Sequence, residues 1–241
     1  RPASACFGVA GPVQGRMAKI TNLPWRIDAD IIAAQFTIPV VSLINDFQAV
    51  AYGIEALEAS DLLTLQAGQA QEHGPRAVIG AGTGLGEGYL VWQGDGHQAL
   101  PSEGSHADFA PADELQVELW RYLSQDYSHV SWERVVSGPG LAAIYEFLRQ
   151  RGELAESMEL AAAMRDGDPS AAISEYALHR NDALALAALD LFVAAYGAEA
   201  GNLALKILAT GGVYIAGGIA PKSAEHLKAG GFLHAFRAKG R

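Results

Sequence analysis

Four glycines alternate with other residues in Gly80-Ala81-Gly82-Thr83-Gly84-Leu85-Gly86, and this segment restricts the architecture of the chain more than any other. An apolar run at residues 77–79 leads into it, a second at 89–92 leads out, and Gly94-Asp95-Gly96 supplies the next turn, so a β-hairpin with a glycine tip is predicted. Without Cβ atoms at the tip, a phosphate can approach the backbone N–H groups closely. Two other glycine motifs fail here. A P-loop needs a Gly-Lys-Ser/Thr ending, and a dinucleotide fingerprint needs Gly where Leu85 stands and a helix where 89–92 reads as a strand. A phosphate-binding hairpin remains, with a plain flexible turn as the other reading.

Ahead of the hairpin, short apolar strands alternate with turns. A buried strand is expected at 5–10, the next strands at 17–21 and 39–44, and a helix between them with Ile31, Ile32 and Phe36 facing inward. Asn45 and Asp46 then fall where a strand stops and a helix starts. Ligands bind at that end of strands in open α/β sheets. Asp46 could accept a proton from a sugar hydroxyl during phosphoryl transfer, or could simply cap the helix. Behind the hairpin, Glu103-Gly104-Ser105-His106 sets a carboxylate and an imidazole three residues apart in a loop, a pair suited to a polyhydroxyl ligand. One Glu and one His are too few for a closed metal site. Glu133, beside Arg134, reads as a solvated charge. From Ala112 onward the periodicity is helical, with a long Ala- and Leu-rich run over 182–208 and a strand at 213–216 that turns through Gly217-Gly218 into another helix.

The formal charge of −10 and the lack of a basic run exclude a long-range grip on nucleic acid or on an anionic membrane. An anionic ligand such as ATP must be held locally. Cys6, the single cysteine, excludes an internal disulfide and a thiolate metal site. No apolar run is read as approaching the roughly 20 residues that span a bilayer, and a cytoplasmic location is the expectation. The strand-like start at Arg1-Pro2 and the abrupt end at Arg241 read as those of a fragment.

Taken in order, Leu43-Ile44-Asn45-Asp46-Phe47, the glycine hairpin, Glu103-Gly104-Ser105-His106, Ser137-Gly138-Pro139-Gly140-Leu141, Asn202-Leu203-Ala204-Leu205 and Gly212-Val213-Tyr214-Ile215-Ala216-Gly217-Gly218-Ile219 resemble the bacterial glucokinases of the hexokinase-like superfamily. The resemblance covers essentially the whole chain. It implies a two-domain α/β fold of the actin-like ATPase (ribonuclease H-like) type, with the remainder of a small domain over 1–75 and a large domain over 76–241. It implies ATP-dependent phosphorylation of glucose at the 6-hydroxyl, with Mg²⁺ as the ion accompanying ATP. Glucose would be held by Asn45, Asp46, Glu103, His106 and Glu133, with Asp46 as the base. The nucleotide would lie against Gly82, Thr83, Gly84, Gly217 and Gly218, in a cleft that closes on the sugar. A homodimer is implied as well. The family's leading Asp-x-Gly-Gly-Thr turn is matched by no residue here, so the chain by itself is expected to be inactive and poorly stable. Two rivals stand beside this reading. A related sugar-responsive repressor would need a helix-turn-helix and a cysteine-rich zinc loop, and a sugar-binding scaffold on the same fold would not need Asp46.

Overall fold

The computed structural model describes residues 1–21 and 23–240. Along the chain run β1 (Ser4–Val9), β2 (Val13–Gln14), β3 (Met17–Lys19), β4 (Arg26–Asp28), α1 (Ala29–Phe36), β5 (Val40–Asn45), α2 (Asp46–Ile54), β6 (Arg76–Ala81), β7 (Leu85–Trp92) and β8 (His97–Ser102). Helices then dominate: α3 (Glu114–Leu123), α4 (Trp132–Val135), α5 (Gly138–Arg151), α6 (Met158–Asp166), α7 (Pro169–His179) and α8 (Ala183–Ile207) precede β9 (Gly212–Ala216), and α9 (Ile219–Lys222), α10 (Ala224–Lys228) and α11 (Gly231–Arg237) follow it. Two compact units result, one of Arg1–Leu63 with Gly88–Pro101, the other of Thr64–Glu87 with Ser102–Arg241. Residues 88–101, grouped with the second part on sequence, therefore belong with the first unit.

In the first unit β1 and β5 pair in parallel, Ser4 opposite Val40 through Val9 opposite Asn45. A separate meander joins β2, β3 and β4. Val9, Ala18, Ala29, Val41 and Leu43 form its core. Two expectations fail here. Among the described residues β1 pairs with β5 alone, so it is not a buried strand: within it only Val9 is buried, and Phe7 is 42% exposed. Helix α1 turns Ile31 and Phe36 outward, 63% and 60% exposed, while Ala29 and Ile32 face the core. Ile31 is one position off the stripe of Ala29, Ile32 and Ala33 that faces the core, and Phe36 is the last residue of the helix.

In the second unit β6 and β9 pair in parallel, Arg76 opposite Gly212 through Gly80 opposite Ala216. Helix α8 backs this pair. Asp182 caps it, accepting from Ala185 N at 2.9 Å, and Leu208 closes it in a left-handed conformation three residues before Gly211. α8 has the length and hydropathy of a membrane-spanning helix, contrary to the sequence reading, because Asp190, Glu199 and Lys206 interrupt the run without making it polar overall. Its most apolar window is 72% buried inside the protein, as a core helix would be.

Tyr196 ties α8 to the root of the glycine hairpin. Its buried hydroxyl accepts from Ala81 N at 3.1 Å and lies 3.3 Å from Ile79 O, to which it donates. Desolvation raises the phenol well above its ordinary pKa, so it stays a donor. Tyr196→Phe leaves the Ala81 N–H without an acceptor. A loss of about 1–3 kcal/mol in denaturant-induced unfolding of the full-length protein is expected.

Candidate active site

In the first unit, Asn45 rather than Asp46 caps α2. Its Oδ1 accepts from Phe47 N at 2.9 Å and Gln48 N at 3.2 Å, and its Nδ2 donates to Gly11 O at 3.3 Å. Those contacts fix the amide where β5 ends. Asp46 is the first residue of α2 and is exposed. One of its oxygens accepts from Phe47 N at 2.9 Å, and the other meets no donor among the described residues. A carboxylate at a helix N-terminus with a free oxygen can accept a proton from a bound hydroxyl.

In the second unit, the glycine hairpin and the Glu103–His106 loop meet through Glu133. Within the tip, Gly82 N donates to Gly84 O, and Gly138 N, at the start of α5, donates to Gly82 O, both at 2.8 Å. Glu133 Oε2 accepts from Leu85 N at 3.0 Å, and a Cβ on Gly84 would come within 2.6 Å of that oxygen. Glu133 Oε1 lies 4.0 Å from His106 Nδ1, and His106 Nε2 lies 3.6 Å from Glu103 Oε2. The three side chains form one polar cluster with two carboxylates and an imidazole. Arg134 does not neutralise it, because its guanidinium lies over the Tyr127 ring at 4.2 Å. Glu133 is placed by α4, which Ser137 locks to α5: its Oγ donates to Glu133 O at 2.7 Å and accepts from Gly140 N at 3.1 Å.

The far side of the hairpin tip opens on a cavity of about 930 Å³, lined by Gly82 and Thr83, by Pro139 of α5, by Asp168 and Ser170 at the start of α7, and by Gly218 and Lys222 at α9. Gly217 and Gly84 do not line it. Gly217 has φ +81° and packs on the Ala81 backbone so tightly that a Cβ would overlap the carbonyl, which fixes β9 against β6 and leaves Gly218 open to the cavity. Asp168 caps α7, accepting from Ser170 Oγ at 2.7 Å, Ser170 N at 2.8 Å and Ala171 N at 3.2 Å; the Ser170 hydroxyl is the chief reason that its carboxyl sits below the usual carboxylate range. Sequence reasoning missed Asp168, Ser170 and Lys222. The Asp168-Pro169 pair was a readable helix start, but nothing local says that this start faces the hairpin. Among the described residues no group of three or more His, Cys, Asp or Glu side chains could hold a metal ion.

A glycine hairpin between a nucleotide-sized cavity and a cluster suited to hydroxyl groups, on this α/β framework, defines a sugar kinase of the actin-like ATPase fold. All 241 residues match the family model described as Glucokinase. The chain belongs to the glucokinase family. It is 53% identical to the glucokinase of a Nostoc species, covering 100% of this chain and 74% of that one. The Synechocystis glucokinase is 47% identical over 99% of this chain and 71% of its own. Among solved structures, a glucokinase from an Antarctic psychrotroph superposes with a TM-score of 0.82 at 34% identity, covering 98% of this chain and 70% of that one.

Proposed function

We propose that this chain carries the sugar and nucleotide sites of an ATP-dependent glucokinase that phosphorylates the 6-hydroxyl of glucose. The observation that carries the reading is the position of the hairpin 82–84. Its Gly84 and Leu85 side touches Glu133, which lies beside His106, and its Gly82 and Thr83 side lines the cavity, so a phosphoryl group at the tip is adjacent to both ligands.

Glucose hydroxyls donate to Glu103 and Glu133, and His106 completes the set; Asn45 and Asp46 are assigned to the same sugar. Asp46 takes the proton of the attacking 6-hydroxyl as its oxygen bonds to the γ-phosphorus, and ADP leaves with the electrons of the broken P–O bond. The nucleotide occupies the 930 Å³ cavity, with backbone N–H groups of the tip and the Lys222 ammonium to receive its phosphates. Mg²⁺ fits as an ion carried by the phosphates, whose charge it neutralises, because the protein offers no cage of three ligating side chains among the described residues. The two compact units are read as the small and the large domain, and the location as the cytoplasm. Assembly as a homodimer belongs to the same reading, and a light-scattering mass of two chains checks it.

The test is formation of glucose 6-phosphate from glucose and Mg·ATP by the full-length protein, followed in a coupled assay. Absence of product would overturn the reading. Removing one charged hydrogen-bonding partner costs roughly 1.5–3 kcal/mol, so Glu133→Ala is expected to weaken glucose about 10- to 100-fold by calorimetry. Nucleotide affinity should change far less, since Glu133 does not line the cavity.

A further inference from the structure

Behind the sugar-binding cluster lies a pair of acids that the proposed chemistry does not use. Glu87 of β7 is 1% exposed and Glu199 of α8 is 0% exposed, and their carboxyl groups meet inside the second unit. Glu199 is provided for. Its Oε2 accepts from Asn202 Nδ2 at 2.8 Å and its Oε1 from Lys206 Nζ at 3.2 Å. Neither oxygen of Glu87 has a donor among the described residues. The neighbour it meets can only accept, so a proton held by Glu87 is what joins the two groups.

The other side of Glu87 faces the loop. Its Oε2 lies so close under Gly104 that a Cβ there would overlap it, with Ser102 Oγ 3.1 Å from the same point. Gly104 N donates to Ser102 Oγ at 3.0 Å, and Gly104 stands between Glu103 and the turn that carries His106, whose N–H donates to Glu103 O at 3.0 Å. The loop is thus seated on the Glu87 carboxyl. A shift of that carboxyl toward Gly104 presses on the backbone between Glu103 and His106, the two sugar-binding side chains.

We propose that the Glu87–Glu199 pair positions the Glu103–His106 loop through its shared proton, so that losing the proton weakens glucose binding without touching the reacting atoms. Two buried carboxylates repel, and Gly104 lies directly against the Glu87 carboxyl that the repulsion displaces. The groups facing the pair are Lys206 and Asn202 of α8, Ser102 at the end of β8, and Lys239 beyond α11, whose ammonium donates to Asn202 Oδ1 at 2.9 Å. Burial first, and then the Glu199 charge, push the Glu87 carboxyl up to about 7, which puts the transition at neutral pH. The inference rests on the assignment of Glu103 and His106 to glucose.

The experiment is the pH dependence of glucose KM and kcat between pH 6 and 8 in the full-length protein and in its Glu87→Gln and Lys206→Met variants. Coupling free energies between protein sites typically correspond to factors of 5 to 150. Wild-type KM is therefore expected to rise about fivefold or more across the range. Glu87→Gln keeps a neutral donor toward Glu199 at every pH, so it should flatten the KM profile, the two proteins differing in KM rather than kcat. Lys206→Met removes the cation that favours ionised Glu87, so the rise should move to higher pH. The wild-type and variant profiles are compared at each pH, so only the difference between them is read. If the protein phosphorylates glucose but Glu87→Gln leaves the KM profile as in wild type, the positioning role is wrong while the kinase assignment stands. If no glucose is phosphorylated, the kinase assignment itself fails, and the positioning role, which rests on it, falls as well.

Discussion

Asp46→Asn is expected to lower kcat for glucose phosphorylation by about 10²- to 10⁴-fold, the usual contribution of a general base, with glucose affinity changed only a few-fold. The asymmetry follows from the side chain's surroundings. Asn keeps one oxygen to accept from Phe47 N, so the first turn of α2 is undisturbed, and the Asn45 cap does not involve position 46 at all. What Asn cannot do is accept the hydroxyl proton. Transition-state stabilisation is lost while ground-state contacts from Glu103, His106 and Glu133 persist, so the defect should fall on kcat. A steady-state assay with a parallel glucose titration by calorimetry checks both halves. Full activity in Asp46→Asn would remove Asp46 from the chemistry; a large loss of affinity with kcat retained would make it a binding residue only.

How far such a site could be read from residues alone differs by position. The hairpin was legible because its signal is local: alternating glycines between two apolar runs admit few structures, and β6 and β7 flank the tip as expected. The junction at Asn45 was legible for the same reason, although the cap is Asn45 and not Asp46. Glu133 was invisible. Its partner Leu85 N lies 48 positions away in the chain, and its sequence neighbour Arg134 suggested an ion pair where the structure has a cation over Tyr127. Ile31 and Phe36 lie on the surface despite their apolar character, because apolar residues fill the interior but are not confined to it. Glu87 and Glu199 did leave a trace. Glu87 falls in phase with buried Leu85 along β7, and Glu199 is a lone acid in an apolar stretch of α8. Either looks like a surface charge by itself; only the fold shows that each faces the other.

That mutual burial has a thermodynamic consequence of known sign. Below about pH 4.5 Glu87 is protonated in both the folded and the unfolded chain. Between 4.5 and about 7 the unfolded chain gives up the proton and the folded one keeps it, so the native state binds more protons and stability falls as pH rises. Above about 7 the folded carboxyl ionises too and the loss levels off. The shift from 4.5 to about 7 corresponds to on the order of 3 kcal/mol lost across that window. Glu146 and Asp168 have depressed carboxyl pKa values, held down chiefly by hydrogen bonds from Arg149 and from the Ser170 hydroxyl; they act in the opposite sense, withdrawing stability as pH falls below their ordinary range, and do not overlap it. Glu87→Gln cannot ionise. Its unfolding free energy should therefore exceed that of wild type at pH 8 and approach it near pH 5, the difference tracing the titration of one group. Urea unfolding of the full-length proteins at several pH values measures it. Parallel pH profiles for the two would mean that Glu87 carries no raised pKa, and would leave the two buried carboxyl groups to be balanced by Lys206 and Asn202.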